Sequence, residues 1–482
     1  MQARTTARVG VAAAVCAALV ALGAPAPVTA APAAPVVGSG SDGPGFVDGV
    51  DGPRGAPAGG TWVPWSPAPG APVADAGVPE PEVGAPEGGT AGLLDLSFSG
   101  DGRHSPNFVS GPEDAASVAV QPDGKIVVGG GAGAFNSRLQ VARFHPDGRR
   151  DKSFGGGDGV VRTNISPGPD WIEDIALQPN GKIVAVGSAW GFSVLVRYNA
   201  NGTLDTGFAN GGVQLLAVGR GFNVATAVVV DGAGRIAFAG RGGGGGGRFV
   251  VARVGANGNP DTSFSGDGIA IADFTAGDDF AWDLALQADG KLVAAGVAGG
   301  TPAAMAVLRL TTNGSNDPTF DGDGRASAGL SGEDAATSVA IQPDGAVVVG
   351  GFNSLNGGQM LIGRMLPSGA MDPAFSGDGL VPVNFGGTAD YAWRVAVQAD
   401  GAIVAVGRAG GAGGRFAVAR VTSAGILDGS FSGDGKVGTN FTAGNDEAHS
   451  VAIDGAGNLV VSGVANGGTS AARIAIARYL AT

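Results

Sequence analysis

One phrase returns seven times along this 482-residue chain, and any fold proposed for it must house every copy. The phrase is an Asp, any residue, a small residue and a Phe, usually followed by a glycine turn. The copies begin at Asp95 (DLSFSGDG), Asp151 (DKSFGGGDG), Asp205 (DTGFANGG), Asp261 (DTSFSGDG), Asp317 (DPTFDGDG), Asp372 (DPAFSGDG) and Asp428 (DGSFSGDG). Their phenylalanines, Phe98, Phe154, Phe208, Phe264, Phe320, Phe375 and Phe431, are spaced by 54 to 56 residues. A period in the fifties that hardly drifts points to one repeat architecture over 91–482 rather than to three unrelated domains.

Each unit carries four short runs rich in Val, Ile, Ala and Phe, which read as strands. In the first full unit they are Ser117–Gln121, Lys125–Gly129, Leu139–Phe144 and Gly159–Ile165. The first two are joined by Gln121-Pro122-Asp123-Gly124, where Pro presets the turn and Gly takes its left-handed position. Runs that are apolar on successive residues must be covered on both faces. Four such strands stacked against the next unit make a propeller blade, so an all-β, seven-bladed β-propeller is expected. A parallel solenoid is the alternative, but its coils are shorter and it needs caps.

The register of the ends predicts how the ring closes. The repeat region starts with an orphan outer strand near Arg103–Ser110 and stops after the third strand Arg473–Tyr479. The N-terminal strand would complete the last blade and remove two open sheet edges.

Ahead of the repeats, Arg4 and Arg8 precede the apolar run Val9–Leu22 and a small-residue site at Val28-Thr29-Ala30, so residues 1–30 read as a signal peptide and the mature chain as secreted. That run is too short for a membrane span. Residues 31–90 are dominated by Pro, Ala and Gly and read as a disordered linker, with Trp62 and Trp65 its aromatic exceptions. The lone cysteine, Cys16, lies in the leader, so disulfides are excluded. A net charge of -13 argues against nucleic acid or anionic lipid as partners. A monomer is expected.

The order LDLSFSGDG, then AVQPDGKIVVGG, then LQVARFHPDG resembles the delta-60 repeat family of bacterial secreted or surface proteins. The resemblance covers residues 93–482 and implies a propeller-like fold; it brings no established chemistry. The third unit departs most, with Asn210-Gly211-Gly212 at the turn and a glycine run from Gly242 to Gly247.

Two charged columns occur in all seven units: the motif Asp (Asp95, Asp151, Asp205, Asp261, Asp317, Asp372, Asp428) and an Arg late in the third strand (Arg143, Arg197, Arg253, Arg309, Arg364, Arg420, Arg478). Identical occupancy of every unit is better explained by architecture than by a single active site, so structural Arg–Asp pairs are expected, with Arg478 meeting Asp95 across the closure. Asp317, Asp321 and Asp323 have a calcium-like spacing, but position twelve is Ala328 and no bidentate Glu follows, so turn chemistry is the better reading and no metal or cofactor is assigned.

The loops entering the innermost strands differ between units and are acidic and aromatic. Asp170, Trp171, Glu173, Asp279, Trp282, Asp390, Tyr391, Trp393, Asp446 and His449 are the candidate ligand-binding residues, and Glu173, Trp282, Trp393 and His449 occupy one equivalent position in four units. Carboxylates with flat aromatic faces suit a sugar or a cation. His104, His145 and His449 show no metal-ligand spacing, and no GxSxG, Walker or HExxH motif is present. The expected function is an extracellular binding module for a polysaccharide or a protein, more a binder than an enzyme. A carbohydrate hydrolase or lyase on the same face, or a purely structural envelope protein, are the alternatives.

Overall fold

The computed structural model describes residues 60–63 and 91–481, apart from the short loop stretches 134–136, 219–222, 243–246, 301, 330–331, 355–357, 388 and 411–412. The leader, Trp65 and most of 31–90 lie outside the described residues. Seven antiparallel sheets form the seven blades. Blade 1 runs from the axis outward as Ser117–Val120, Ile126–Ala132, Arg138–Phe144 and Val160–Thr163. Strand Ile126–Ala132 is buried at every residue, as its unbroken apolar sequence requires of a strand covered on both faces. The core is a set of apolar layers, one between each pair of neighbouring blades; Val127, Leu139 and Val141 of blade 1, for example, pack on Ile172, Ile175 and Ile183 of blade 2.

Blade 7 closes the ring as anticipated. Its inner three strands are Asn445–Ile453, Leu459–Gly467 and Arg473–Tyr479, and its outer strand is Arg103–His104, paired through Arg103 with Ala477 and His104 with Ile476. The closing strand is shorter than the anticipated 103–110 because Pro106 has no N–H to extend the ladder. Blade 2 carries a fifth strand, since Gly60–Val63 adds to the edge of its outer strand Val213–Val218.

On the face holding the Gln-Pro-Asp-Gly turns, the Asp and Arg columns meet in every blade. Arg143 Nε donates to Asp151 Oδ2 at 2.8 Å, and Arg478 Nε donates to Asp95 Oδ2 at 2.7 Å across the closure. Arg197 pairs with Asp205, Arg253 with Asp261, Arg309 with Asp317, Arg364 with Asp372 and Arg420 with Asp428. The arginine also reaches the next blade: Arg143 Nη1 donates to the Ala200 carbonyl at 2.6 Å and Arg478 Nη1 to that of Pro146 at 2.6 Å. Arg420 differs, turning to Gln398 and Asp400 of its own blade.

A second link lies beside the first. The residue after the motif Phe is left-handed even where it is not glycine, with φ of 51° at Ser99, 55° at Ser265 and 50° at Asp321. That costs conformational energy. The twist aims its N–H at the neighbouring blade, and the same bond recurs at all seven junctions, from Ser99 to the Asp147 carbonyl through to Ser432 and the Ala91 carbonyl.

Two acid responses follow. Burial works to raise the Asp151 carboxyl, but hydrogen bonds from Ser153 and the charges of Arg143 and Lys125 outweigh it and hold it at about 2; Asp317 is held at about 2 likewise, with Thr319 and Lys291 among its partners. These groups stabilise the fold above the ordinary carboxylate range and lose that contribution as pH falls towards 2. His104 responds earlier. Its Nε2 is buried without a hydrogen-bond partner, and burial, helped by Arg150, lowers its pKa from 6.5 to about 4. The folded state therefore binds the proton less well than the unfolded chain, and stability present above pH 6.5 drains away as pH drops towards 4. By about pH 5 the loss should reach roughly 2 kcal/mol, seen as a fall in melting temperature that His104→Phe abolishes.

Candidate functional site

The inner hairpins convert the barrel axis into a site. In six blades the innermost strand slips register against the second strand, between Ile172 and Asp174, Ala225 and Ala227, Ala281 and Asp283, Ala336 and Ser338, Ala392 and Arg394, and Ala448 and Ser450. A β-bulge leaves its extra residue unpaired and re-aims the side chain. The residues so released are Glu173, Thr226, Trp282, Thr337, Trp393 and His449, and with Ala116 of blade 1 and Arg394 they line one cup. The cavity itself is small, about 40 Å³, and opens into a wider hollow continuous with solvent.

The bulge depends on a glycine opposite it in the second strand. A Cβ at Gly187 would lie 1.8 Å from the Trp171 carbonyl oxygen, at Gly296 1.8 Å from that of Phe280, and at Gly407 1.9 Å from that of Tyr391. Gly130, Gly240, Gly351 and Gly463 are as close to the carbonyls of Asp114, Val224, Ala335 and Glu447. Backbone must shift to admit a methyl there. Gly407→Ala should destabilise the fold by about 1–3 kcal/mol in a urea titration, whereas Gly455→Ala, where a Cβ meets nothing within 4 Å, should leave the midpoint unchanged.

The acids entering these strands lie in another layer. Asp170, Asp279, Asp390 and Asp446 are fully buried and do not line the cup. Each ties down its own loop: Asp446 Oδ2 accepts from the N–H groups of Phe441 and Thr442 at 2.6 and 2.8 Å, while Oδ1 accepts from Thr442 Oγ1 and from the Asn466 N–H. Asp170 holds Ile165 and Ser166, Asp279 holds Phe274, Thr275 and Gly299, and Asp390 holds Phe385 and Gly410 in the same way. Such short charge-assisted bonds fix loops firmly. Trp171 packs over Gly131 between blades, and Tyr391 meets Phe352 edge-on at 5.1 Å. Of the ten candidates, the structure brings Glu173, Trp282, Trp393 and His449 together in the cup.

Their surroundings orient them. His449 Nδ1 lies 2.9 Å from Asp114 Oδ1, and Trp393 Nε1 donates to Glu447 Oε1. The Trp282 and Trp393 rings stand 6.3 Å apart, and Phe280 backs Trp282 at 4.4 Å. Trp282 belongs to blade 4, Trp393 to blade 6 and Glu173 to blade 2, so in a ring of seven Glu173 lies across from Trp393.

At the cup a buried ion triad links three blades across the axis. Arg394 Nη2 donates to Asp174 Oδ1 at 2.7 Å and Nη1 donates to Asp283 Oδ1. Asp174 also accepts from Ser117 Oγ at 2.7 Å and from the Val228 N–H at 3.0 Å, and Asp283 from Ser338 Oγ at 2.7 Å and the Val339 N–H at 2.9 Å. Burial and the nearby Asp283 charge push the Asp174 carboxyl up, while Arg394 pulls it back; the two carboxylates in turn hold the proton on Arg394 more tightly. Among the described residues no group of three or more His, Cys, Asp or Glu is arranged to hold a metal. Asp317 is engaged by Arg309, Lys291 and Thr319.

Comparison with known proteins agrees with the architecture. Residues 121–154, 178–208, 234–264, 287–320 and 398–431 match a family described as a domain of unknown function (DUF5122) beta-propeller, each match running from the first hairpin to the motif Phe or its neighbourhood. Those five stretches match a β-propeller repeat, in agreement with the fold. No curated protein matches it. Solved structures similar to this propeller include virginiamycin B lyase from Staphylococcus aureus, 12% identical over 78% of this chain and 98% of that one, with a TM-score of 0.46. A protein of unknown function from Dyadobacter fermentans is 15% identical over 79% and 98%, with a TM-score of 0.42. A gluconolactonase from Xanthomonas campestris is 15% identical over 62% and 83%, with a TM-score of 0.33. No helix among the described residues of the propeller is long and apolar enough to cross a membrane.

Proposed function

We propose that this propeller is an exported binding module of the delta-60 repeat type, which holds one residue of an extracellular polysaccharide in the central cup. The observation that carries the reading is the convergence of one bulged side chain from each of six blades on a single cavity whose lining also includes Arg394 of the ion triad. The tilted indoles of Trp282 and Trp393 supply apolar ring surface for a sugar, and Glu173 and His449 add polar groups to the same lining. The leader at 1–30 and the acidic net charge support export and a partner other than nucleic acid.

The test is retention of the full chain on a panel of polysaccharides and cell-wall fractions. Trp282→Ala should weaken retention about tenfold, because an aromatic stacking partner is lost. No retention on any member would favour a structural envelope role instead. A hydrolase or lyase is the second reading, favoured by the His449–Asp114 pair, which fixes an imidazole as a general base requires. Soluble products released from the retained polysaccharide, and lost with His449→Ala, would establish it.

A further inference from the structure

Blade 2 departs from the other six at one turn. Between their second and third strands the others carry five residues, at 133–137, 243–247, 299–303, 354–358, 410–414 and 468–472. Blade 2 joins Ile183–Ala189 to Phe192–Tyr198 through Trp190 and Gly191 alone. Both are left-handed, with φ of 46° and 84°, as a two-residue type I′ hairpin requires. Asn-Gly is the relaxed sequence for such a turn. An exposed aromatic by itself asks for no explanation. Trp190 does, because it is held in a strained backbone conformation and is still 63% exposed.

The turn is fixed from both sides. The Asn223 N–H, from the loop entering blade 3, donates to the Gly191 carbonyl at 2.9 Å. A Cβ at Gly168 would stand 3.4 Å from Trp190 Cδ1 and 3.5 Å from Cγ, so the indole rests on that glycine, in a loop that Asp170 pins through Ile165 and Ser166. Among the described residues the other exposed large hydrophobics, Leu93, Leu96, Leu366 and Ile426, lie beside the Asp motifs on the opposite face. Trp190 therefore has no apolar surroundings of the extent a protein partner needs, about 800 Å² a side.

We infer that Trp190 is a second saccharide-stacking position, taking one pyranose ring of the same polysaccharide a few units along from the one in the cup. This rests on the cup holding a polysaccharide residue. Ala189, just before Trp190, pairs with Asp170 at the start of the innermost strand, and Glu173 of the cup lining stands three residues further along, roughly 10 Å at a strand's rise. A short run of sugar units spans that distance. A rigid indole stacks on a ring without paying to order a loop, which is what a strained two-residue hairpin provides.

Retention of the full chain on cellulose, chitin, xylan, mannan and peptidoglycan tests this, with Trp190→Asn as the variant because Asn relaxes the turn as it removes the indole. Trp190→Asn should weaken retention about tenfold on the polysaccharide whose retention Ala116→Trp abolishes, and should melt at a higher temperature than the unaltered chain. Unchanged retention of Trp190→Asn beside loss with Ala116→Trp would overturn the stacking position and leave the cup as the site. A lowered melting temperature would overturn it too, by making the indole a packing residue. Loss with Trp190→Asn beside full retention of Ala116→Trp would overturn the cup and the shared ligand. No retention of the unaltered chain on any of the five would overturn both.

Discussion

A chain lacking residues 91–104 is expected to lose cooperative folding of the whole propeller. That segment supplies the outer strand of blade 7, and without it the edge of Arg473–Tyr479 stands open. It also carries Phe98, fully buried in the layer between blades 7 and 1, and Asp95, the partner of Arg478. The carbonyl of Ala91 accepts the Ser432 N–H from blade 6, and Gly92 donates to the Leu480 carbonyl. The deletion thus removes a buried aromatic, worth about 3–5 kcal/mol alone, together with a strand pairing and an ion pair. Marginal stability of about 5–15 kcal/mol cannot absorb such a loss. Calorimetry should show no single sharp transition, and gel filtration should show association through the open edge. An unchanged melting profile would mean that the ring is held closed by other contacts.

Arg394→Ala should cost about 3–5 kcal/mol, the toll of leaving two buried carboxylates without their counter-charge. Burial already pushes Asp174 towards its protonated form, so in the variant the stability should recover as pH falls and the carboxyls take up protons. The sign is the reverse of that for Asp151 and Asp317. Replacing the triad together, with Arg394→Met, Asp174→Asn and Asp283→Asn, should be far milder than the single change, because nothing charged is left stranded. Urea titrations of the two variants at neutral and acidic pH check this directly. Equal destabilisation by both would assign the loss to packing of the Arg394 side chain.

Blade number and ring closure could be read from sequence because the repeats impose them. Seven motif phenylalanines each fill one inter-blade layer, and the outer strand displaced to the N-terminus leaves a gap that only Arg103–His104 fills. Five-stranded blade 2 could not be read, since Gly60–Val63 sits in a segment whose composition carries no strand signal. The cup was legible in part. Glu173, Trp282, Trp393 and His449 stood out as one column, but their release into the axis depends on bulges, and the clue lies elsewhere, in the glycine column from Gly130 to Gly463 in the second strands. The triad was hidden for a different reason. Arg394 meets partners 220 and 111 residues away, one step along the strand from the bulge, and no spacing within a unit encodes that meeting. The loop acids were visible as acids, yet whether an Asp faces solvent or its own loop is decided by a hydrogen bond from the backbone N–H five residues before it, which Asp170, Asp279, Asp390 and Asp446 all accept and which residue identity alone does not reveal.

The central claim is that the ligand enters the cup, and filling the cup tests it most directly. Ala116 is the smallest member of the lining, and Ala116→Trp would occupy the space from blade 1 while leaving Trp282, Trp393, Glu173 and His449 in place. Retention on the polysaccharide that best holds the unaltered chain should then be lost while the variant still unfolds in one cooperative transition, with a melting temperature lowered by the overpacking of the buried Ala116 position. Full retention by Ala116→Trp, with the same fold, would place the ligand elsewhere on the propeller and contradict the account.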